Sequence, residues 1–368
     1  MKYYLVAGER SGDLHGGNLV KAIKKYDQDA HFRGFGGDTM EAQGMELVAH
    51  YRELAFMGFL EVLKNLKTIS RYLKKCKADI EHSRPGVVIL IDYAGFNLKI
   101  AKFCKAKGIR VFYYISPKVW AWNTRRAYKL KRLVDRMFVI LPFEKEFFQK
   151  FDWEVDYVGN PVLDALKEHE VNPLTYRDDL TVALLPGSRA QELEGTLPIF
   201  CDLLNRFPEY QFIIAAVDNV DRQLYENIES KPNATLLFGS TYDLLANARA
   251  AVVTSGTATL ETALWKVPQV VTYKMSTWTY NIAKRLVKVK YISLVNLIAN
   301  KMVVKELIQD DFNLEQLSGE LRSLMENEDY RAGILEEYNS IYEVLDQGSA
   351  SENTARLMVQ YLDDPSGG

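Results

Sequence analysis

Short apolar runs such as "VVILID" (87–92) and "VFYYIS" (111–116) are hydrophobic on successive residues rather than on alternate ones. A strand that reads this way is buried on both faces, as in a parallel sheet covered by helices. Comparable runs fall at 2–8, 31–36, 136–141 and 154–159, then at 180–186, 210–217, 234–239, 249–255 and 268–274. Helical patterns separate them almost throughout, and after residue 313 the chain is helical to its end. The expected fold is α/β, with doubly wound parallel sheets. A chain of 368 residues exceeds what one core usually serves, so two domains are expected. The polar stretch "LKEHEVNPLTYRDD" (166–179) separates the two strand series and reads as a linker. The domains are then 1–166 and 180–330, joined by 167–179, with terminal helices over 331–368. In such a fold these helices dock back on the first domain or on a partner subunit, which leaves a homodimer open.

The formal net charge is −2, which argues against nucleic acid as a partner of the whole surface. Cys76, Cys104 and Cys201 are far apart and fit neither a zinc site nor a disulfide framework. The first strand begins at Lys2, which leaves no room for a signal peptide, and no stretch of about 18 apolar residues appears. The expected compartment is the cytoplasm. No motif calls for a cofactor or a metal; Asp27 and Asp29 have the spacing of a metal pair but end a helix pattern with no strand before them.

Open α/β domains bind ligands beyond the carboxyl ends of their strands, facing a cleft, so motifs that follow strands carry the most weight. "LLPGSRAQELEG" (184–195) follows one. Pro186 and Gly187 form a turn, Ser188 offers a hydroxyl, Arg189 a forked cation, and Glu192 sits in the first turn of the next helix. "SGTATLET" (255–262) repeats the arrangement, with Ser255, Gly256 and Thr257 at a helix start and Glu261 one turn on, where an acid can hold ribose hydroxyls. The plainer alternative is a pair of ordinary capped helices. Together the loops make a nucleotide-diphosphate site plausible, while neither matches GxxxxGK[ST] or GxGxxG.

In the first half, "VVILIDYAGFN" ends a buried strand on Asp92, the leading candidate for a general base, with helix capping as the alternative. "YYISPKVWAWNTRRAYKLKR" (113–132) sets Trp120 and Trp122 beside Asn123, Arg125 and Arg126. Indoles suit sugar rings or acyl chains and arginines suit anions, although core packing accounts for indoles equally well. "AGERSGDLHGGN" (7–18) looks like a phosphate loop, yet Glu9 and Asp13 would repel a phosphate. The segment 56–77 splits into an apolar face (Phe59, Val62, Leu63, Leu66, Ile69, Leu73, Cys76) and a basic one (Lys64, Lys67, Arg71, Lys74, Lys75). It reads either as a helix lying on an anionic membrane or as a surface helix packed on the core. Lys284, Arg285, Lys288 and Lys290 form a second basic patch.

Ten stretches, among them "AGERSGDLHGG", "FMGFLEVL", "ISPKVWAWN", "LPFE", "VGNP", "LLPGSRAQE", "SGTATLET" and "VKYISLVNLIA", resemble in order and spacing the lipid-A-disaccharide synthases, over about residues 1 to 345. The resemblance implies a GT-B fold of two Rossmann-like domains and an inverting, metal-independent glycosyltransferase. The donor would be UDP-2,3-diacylglucosamine, the acceptor 2,3-diacylglucosamine 1-phosphate, and the products a β-1,6-linked disaccharide phosphate and UDP. It also implies a Gram-negative source and work at the inner face of the cytoplasmic membrane. Asp92 matches the family's essential aspartate and Arg189 the arginine of its PGSR loop. Glu9, Ser11 and Asp13 fall on the first-loop motif, and Asn296 on the asparagine of the Asn-Leu motif. On this reading Glu9, Ser11 and Asp13 hold acceptor hydroxyls, Gly12, Gly16 and Gly17 let the lipid-sugar come close, and Glu9, Asp13 or His15 stand behind Asp92 as alternative bases. Gly95, Val295 and Lys305 depart from the family pattern. A UDP-sugar 2-epimerase-like enzyme and a non-catalytic nucleotide-sugar binding module are the alternatives on this architecture.

Overall fold

The computed structural model describes residues 1–53, 66–172, 178–275, 280 and 289–364. The chain divides into two units, Met1–Pro161 with Gln347–Gly368, and Val162–Asp346. The first holds β1 (Lys2–Ala7), β2 (His31–Gly36), β3 (Glu46–His50), β4 (Val87–Ile91), β5 (Arg110–Tyr114), β6 (Arg136–Val139) and β7 (Asp156–Tyr157). They form one parallel sheet in the order β3-β2-β1-β4-β5-β6-β7. The second unit holds β8 (Thr181–Leu185), β9 (Gln211–Ala216), β10 (Ala234–Phe238), β11 (Ala250–Thr254), β12 (Gln269–Tyr273) and β13 (Glu306–Ile308). Its parallel order is β10-β9-β8-β11-β12-β13.

The apolar runs behave as their composition requires. In β4, Val88 and Leu90 join one buried cluster while Val87, Ile89 and Ile91 join another on the opposite face. Each such side chain, fully buried, stabilises by about 1.5–3 kcal/mol. The helix Arg10–Tyr26 covers the second face together with Ala350–Asp363. This last helix is tied down by Arg136 over the Tyr361 ring at 4.2 Å and by the Tyr361 hydroxyl donating to Asp156 at 3.1 Å. The chain rejoins the first unit at Gln347, after the helix Glu328–Leu345, rather than at 331. The division near 166 likewise falls earlier, at Pro161, because 166–168 finish the helix Pro161–Glu168; residues 173–177 of the expected linker lie outside the described residues.

Two strands are absent from the sequence reading. β3 is an edge strand with a single buried residue, Ala49, and β13 is an edge strand of three residues. Neither carries the continuous apolar run that marks a strand covered on both faces.

Candidate functional site

In each sheet the order of strands reverses between two neighbours, β1 and β4 in the first, β8 and β11 in the second. Ligands of doubly wound sheets bind at that reversal, beyond the carboxyl ends of the strands. Ala7 pairs with Ile91, so Gly8 and Asp92 leave the first sheet side by side. Val253 pairs with Leu185, which does the same for the 186–189 and 255–257 turns in the second.

Asp92 and Tyr93 are consecutive non-glycine residues in the left-handed region, at φ 45° and 46°. Such conformations cost of order 1–3 kcal/mol each and persist only where neighbours enforce them. The buried Asn97 amide donates to the carbonyls of Asp92 at 2.8 Å and Ile91 at 3.1 Å. The buried Tyr113 hydroxyl also donates to the Asp92 carbonyl. The Tyr93 ring covers Gly8 so closely that a Cβ there would meet it at 2.3 Å. Burial raises the Asp92 carboxyl above the ordinary range and the charge of Glu9 adds to this; Lys118 and the Tyr93 backbone N–H pull it back. Glu9 and Ser11 are exposed at the start of the Arg10–Tyr26 helix. Burial lowers the His15 imidazole to about 4, so it is neutral at pH 7 and a weak base.

Asp13 is turned into the protein. Its buried carboxylate accepts the backbone N–H groups of Gly37 at 2.7 Å, Thr39 at 3.0 Å and Met40 at 3.1 Å. It therefore caps the helix Asp38–Ala42 from another helix, satisfying donors that such a terminus leaves open. The glycines also serve packing. A Cβ on Gly16 would lie 2.6 Å from Met40 Sδ, one on Gly17 2.7 Å from Thr39 Cγ2, and one on Gly12 3.3 Å from the Ala7 Cβ. They let the helix close on β1 and on the Asp38–Ala42 helix.

Trp120 is 8% exposed, edge-on to Phe143 at 4.9 Å, with its indole N–H donating to Glu144 at 3.1 Å. It is packed, not an open platform. Glu144, which sequence reasoning passed over, also takes the Ser116 hydroxyl and the N–H groups of Ile140 at 3.2 Å and Leu141 at 3.0 Å. The motifs "ISPKVWAWN" and "LPFE" are thus two sides of one buried box, and that box carries Lys118 on the turn beside Asp92. Burial raises the Glu144 carboxyl, and its four donors act against the rise. Asn123 is half-buried, Arg125 is exposed at the head of the helix Arg126–Leu133, and the Trp122 side chain lies outside the described residues. Of the 56–77 segment, residues 56–65 lie outside the described residues; in the helix Leu66–Ser83, Leu73 and Cys76 are buried in the core while Lys67, Arg71, Lys74 and Lys75 are exposed. The described apolar stripe faces protein, not lipid. Lys284, Arg285 and Lys288 are outside the described residues, and the Lys290 ammonium lies over the Tyr291 ring at 5.1 Å.

In the second unit, Gly187 has φ 108°, and a Cβ there would lie 2.4 Å from the Glu192 carboxylate. That carboxylate accepts the backbone N–H of Ser188 at 2.9 Å and of Arg189 at 3.3 Å, and the Arg189 guanidinium at 2.8 Å. Glu192 closes a capping box on the helix Ala190–Arg206, so it takes the donors that the sequence reading aimed at a diphosphate. At the second turn, the Ser255 hydroxyl donates to the Ile292 carbonyl at 2.9 Å, and Gly256 and Thr257 are exposed at the head of the helix Thr257–Leu264. Glu261 accepts the Tyr242 hydroxyl at 3.0 Å, and burial raises its carboxyl.

Asn296 is fully buried and its amide is fully used. It donates to the Val304 carbonyl at 2.8 Å and Glu306 at 2.9 Å, and accepts the N–H groups of Val303 at 2.8 Å and Val304 at 3.0 Å. Glu306 in turn takes the N–H groups of Ile292 and Ser293. Asn296 thus braces the segment against which Ser255 is tied.

The model of the lipid-A-disaccharide synthetase family matches residues 3–359. A lipid-A-disaccharide synthase of Syntrophus aciditrophicus (strain SB) is 40% identical over 371 residues, covering 97% of each chain. Among solved structures, the glycotransferase of kitacinnamycin superposes with a TM-score of 0.70 at 14% identity, covering 98% of this chain and 99% of its own. A putative UDP-N-acetylglucosamine 2-epimerase from Listeria monocytogenes has a TM-score of 0.70 at 13% identity, covering 99% and 98%. These two likenesses speak to the fold, which is GT-B.

Proposed function

The chain belongs to the lipid-A-disaccharide synthetase family, and on that footing we propose how its residues divide the reaction. The enzyme is a glycosyltransferase of lipid A biosynthesis. It joins UDP-2,3-diacylglucosamine to 2,3-diacylglucosamine 1-phosphate, giving the β-1,6-linked disaccharide phosphate and UDP. Family membership favours this over the epimerase reading, which rests on the shared fold alone.

The acceptor 6-hydroxyl oxygen attacks the anomeric carbon of the donor in line, and the bond to the diphosphate breaks. Asp92 takes the hydroxyl proton. The observation that carries this role is the enforced left-handed turn at the β1/β4 reversal, which holds a carboxylate of raised proton affinity where ligands of such sheets sit. Glu9 and Ser11 face the acceptor, with Asn123 and Arg125 on the same substrate; Lys118 joins them as a cation for its 1-phosphate. Asp13 and Trp120 support this face from beneath.

The second unit binds UDP. Arg189 and the N–H groups at 188–189 and 256–257 stabilise charge on the departing diphosphate, and Glu261, oriented by Tyr242, holds the ribose. Two diacyl substrates are drawn from a membrane, and the exposed cations Lys67, Arg71 and Lys74 hold the enzyme to an anionic surface from the cytoplasmic side. No described helix is long and apolar enough to cross a membrane. Assay of UDP and disaccharide with and without acceptor tests the assignment: a transferase releases UDP only with acceptor, whereas an epimerase alters the sugar without it.

A further inference from the structure

The turn that carries Asp92 is held by side chains buried in the first unit. Asn97, 0% exposed, spans three carbonyls: Asp92 at 2.8 Å, Ile91 at 3.1 Å and, across the strand pair, Val6 at 3.4 Å. Tyr113, also 0% exposed and in the neighbouring strand β5, spends its hydroxyl on the Asp92 carbonyl. The Asp92 backbone N–H continues the ladder to the Tyr114 carbonyl at 3.1 Å. The Tyr93 ring is wedged over Gly8 and against Phe96 at 5.8 Å. Both lone pairs of the Asp92 carbonyl are taken by buried side chains from two different elements, so the turn is tied at that point from two sides. Two successive left-handed non-glycine residues would relax toward an extended exit if that carbonyl were released.

We propose that Tyr113 and Asn97 are positioning residues for glycosyl transfer: they clamp the Asp92 carbonyl, lock the 92–93 turn in its strained form, and so keep the Asp92 carboxylate within reach of the acceptor hydroxyl. The inference rests on Asp92 being the base. Proton transfer demands a donor–acceptor approach near hydrogen-bond length, and displacement by about 1 Å costs up to a hundredfold. Tyr113→Phe removes one oxygen and little volume. Gly8→Ala reaches the same turn from the other side, by pushing on Tyr93.

The test is steady-state kinetics of the full chain with both lipid substrates, for wild type, Y113F, N97S, G8A and D92N, and for Y113F combined with D92N, with a thermal midpoint for each. The expected result for Y113F is a kcat lowered about 10- to 100-fold, with both KM values within about twofold and a folded protein. On the D92N background Y113F lowers kcat no further, because the group it positions is gone. Should N97S fail to fold, G8A supplies the second reading, with the same kcat loss expected. Wild-type kcat in Y113F and G8A overturns the clamp, as does a Y113F loss that multiplies with that of an impaired D92N. A near-wild-type rate in D92N itself removes the base assignment, and the clamp with it.

Discussion

The Arg189 guanidinium donates to the Glu192 carboxylate at 2.8 Å, and the same carboxylate accepts the Ser188 backbone N–H at 2.9 Å. An anion already occupies the donors proposed for the diphosphate, so UDP must compete with it. Glu192→Gln keeps the shape and removes the charge. UDP should then bind several-fold more tightly, because a like-charge repulsion of order 1 kcal/mol is relieved, whereas Arg189→Ala should weaken binding. Titration calorimetry with UDP reads both; weaker binding by Glu192→Gln would make Glu192 a ligand contact instead.

Asp13→Ala should behave as a stability variant. It strands the N–H groups of Gly37, Thr39 and Met40, which now bond to a buried carboxylate. The cost should be about 2–4 kcal/mol in chemical denaturation, with kcat per folded molecule within a few-fold of wild type. Full stability with lost turnover would return Asp13 to the catalytic set.

Much of this fold was legible because buried parallel strands leave continuous apolar runs, and Asp92 was legible because it ends one. Edge strands such as β13 leave no such run. At the site, spacing alone does not separate a ligand carboxylate from a cap: Asp13 and Glu192 lie on loop motifs, but Asp13 accepts backbone N–H groups and Glu192 accepts two more together with the Arg189 guanidinium. Asn296 sits on a family motif yet spends its whole amide on residues 303–306. Tyr113, Asn97 and Glu144 were missed for a related reason, since their partners lie in other elements that come together only on folding. The pairing of a polar residue late in "VVILIDYAGFN" with a tyrosine inside "VFYYIS" was the available signal.

Asp92 should also trade stability for turnover. Burial, reinforced by Glu9, holds its folded proton affinity above the unfolded value. In the pH window between the two, the folded state binds more protons, so stability falls as pH rises through it and stays lower above. Asp92→Asn should therefore raise the thermal midpoint at pH 7. The gain should vanish below the ordinary carboxylate range. Calorimetry at pH 7 and at acid pH checks the sign, and a lower midpoint at pH 7 would contradict it.

Membrane adsorption is expected to be electrostatic, because the described apolar stripe of the Leu66–Ser83 helix is buried. Each cation near an anionic surface contributes about 1 kcal/mol. Replacing Lys67, Arg71 and Lys74 by glutamine should cut co-sedimentation with anionic vesicles by about two orders of magnitude at low salt, and leave neutral vesicles unaffected. Unchanged partitioning would place the contact elsewhere.

The most direct test is acceptor-dependent UDP release by Asp92→Asn as a function of pH, with UDP affinity measured alongside. The wild-type rate should rise with pH through a limb above the ordinary carboxylate range, since the base acts ionised. The variant should lose about two to four orders of magnitude and that limb, with UDP affinity intact. A variant within a few-fold of the wild-type rate, or with the limb preserved, would contradict Asp92 as the base.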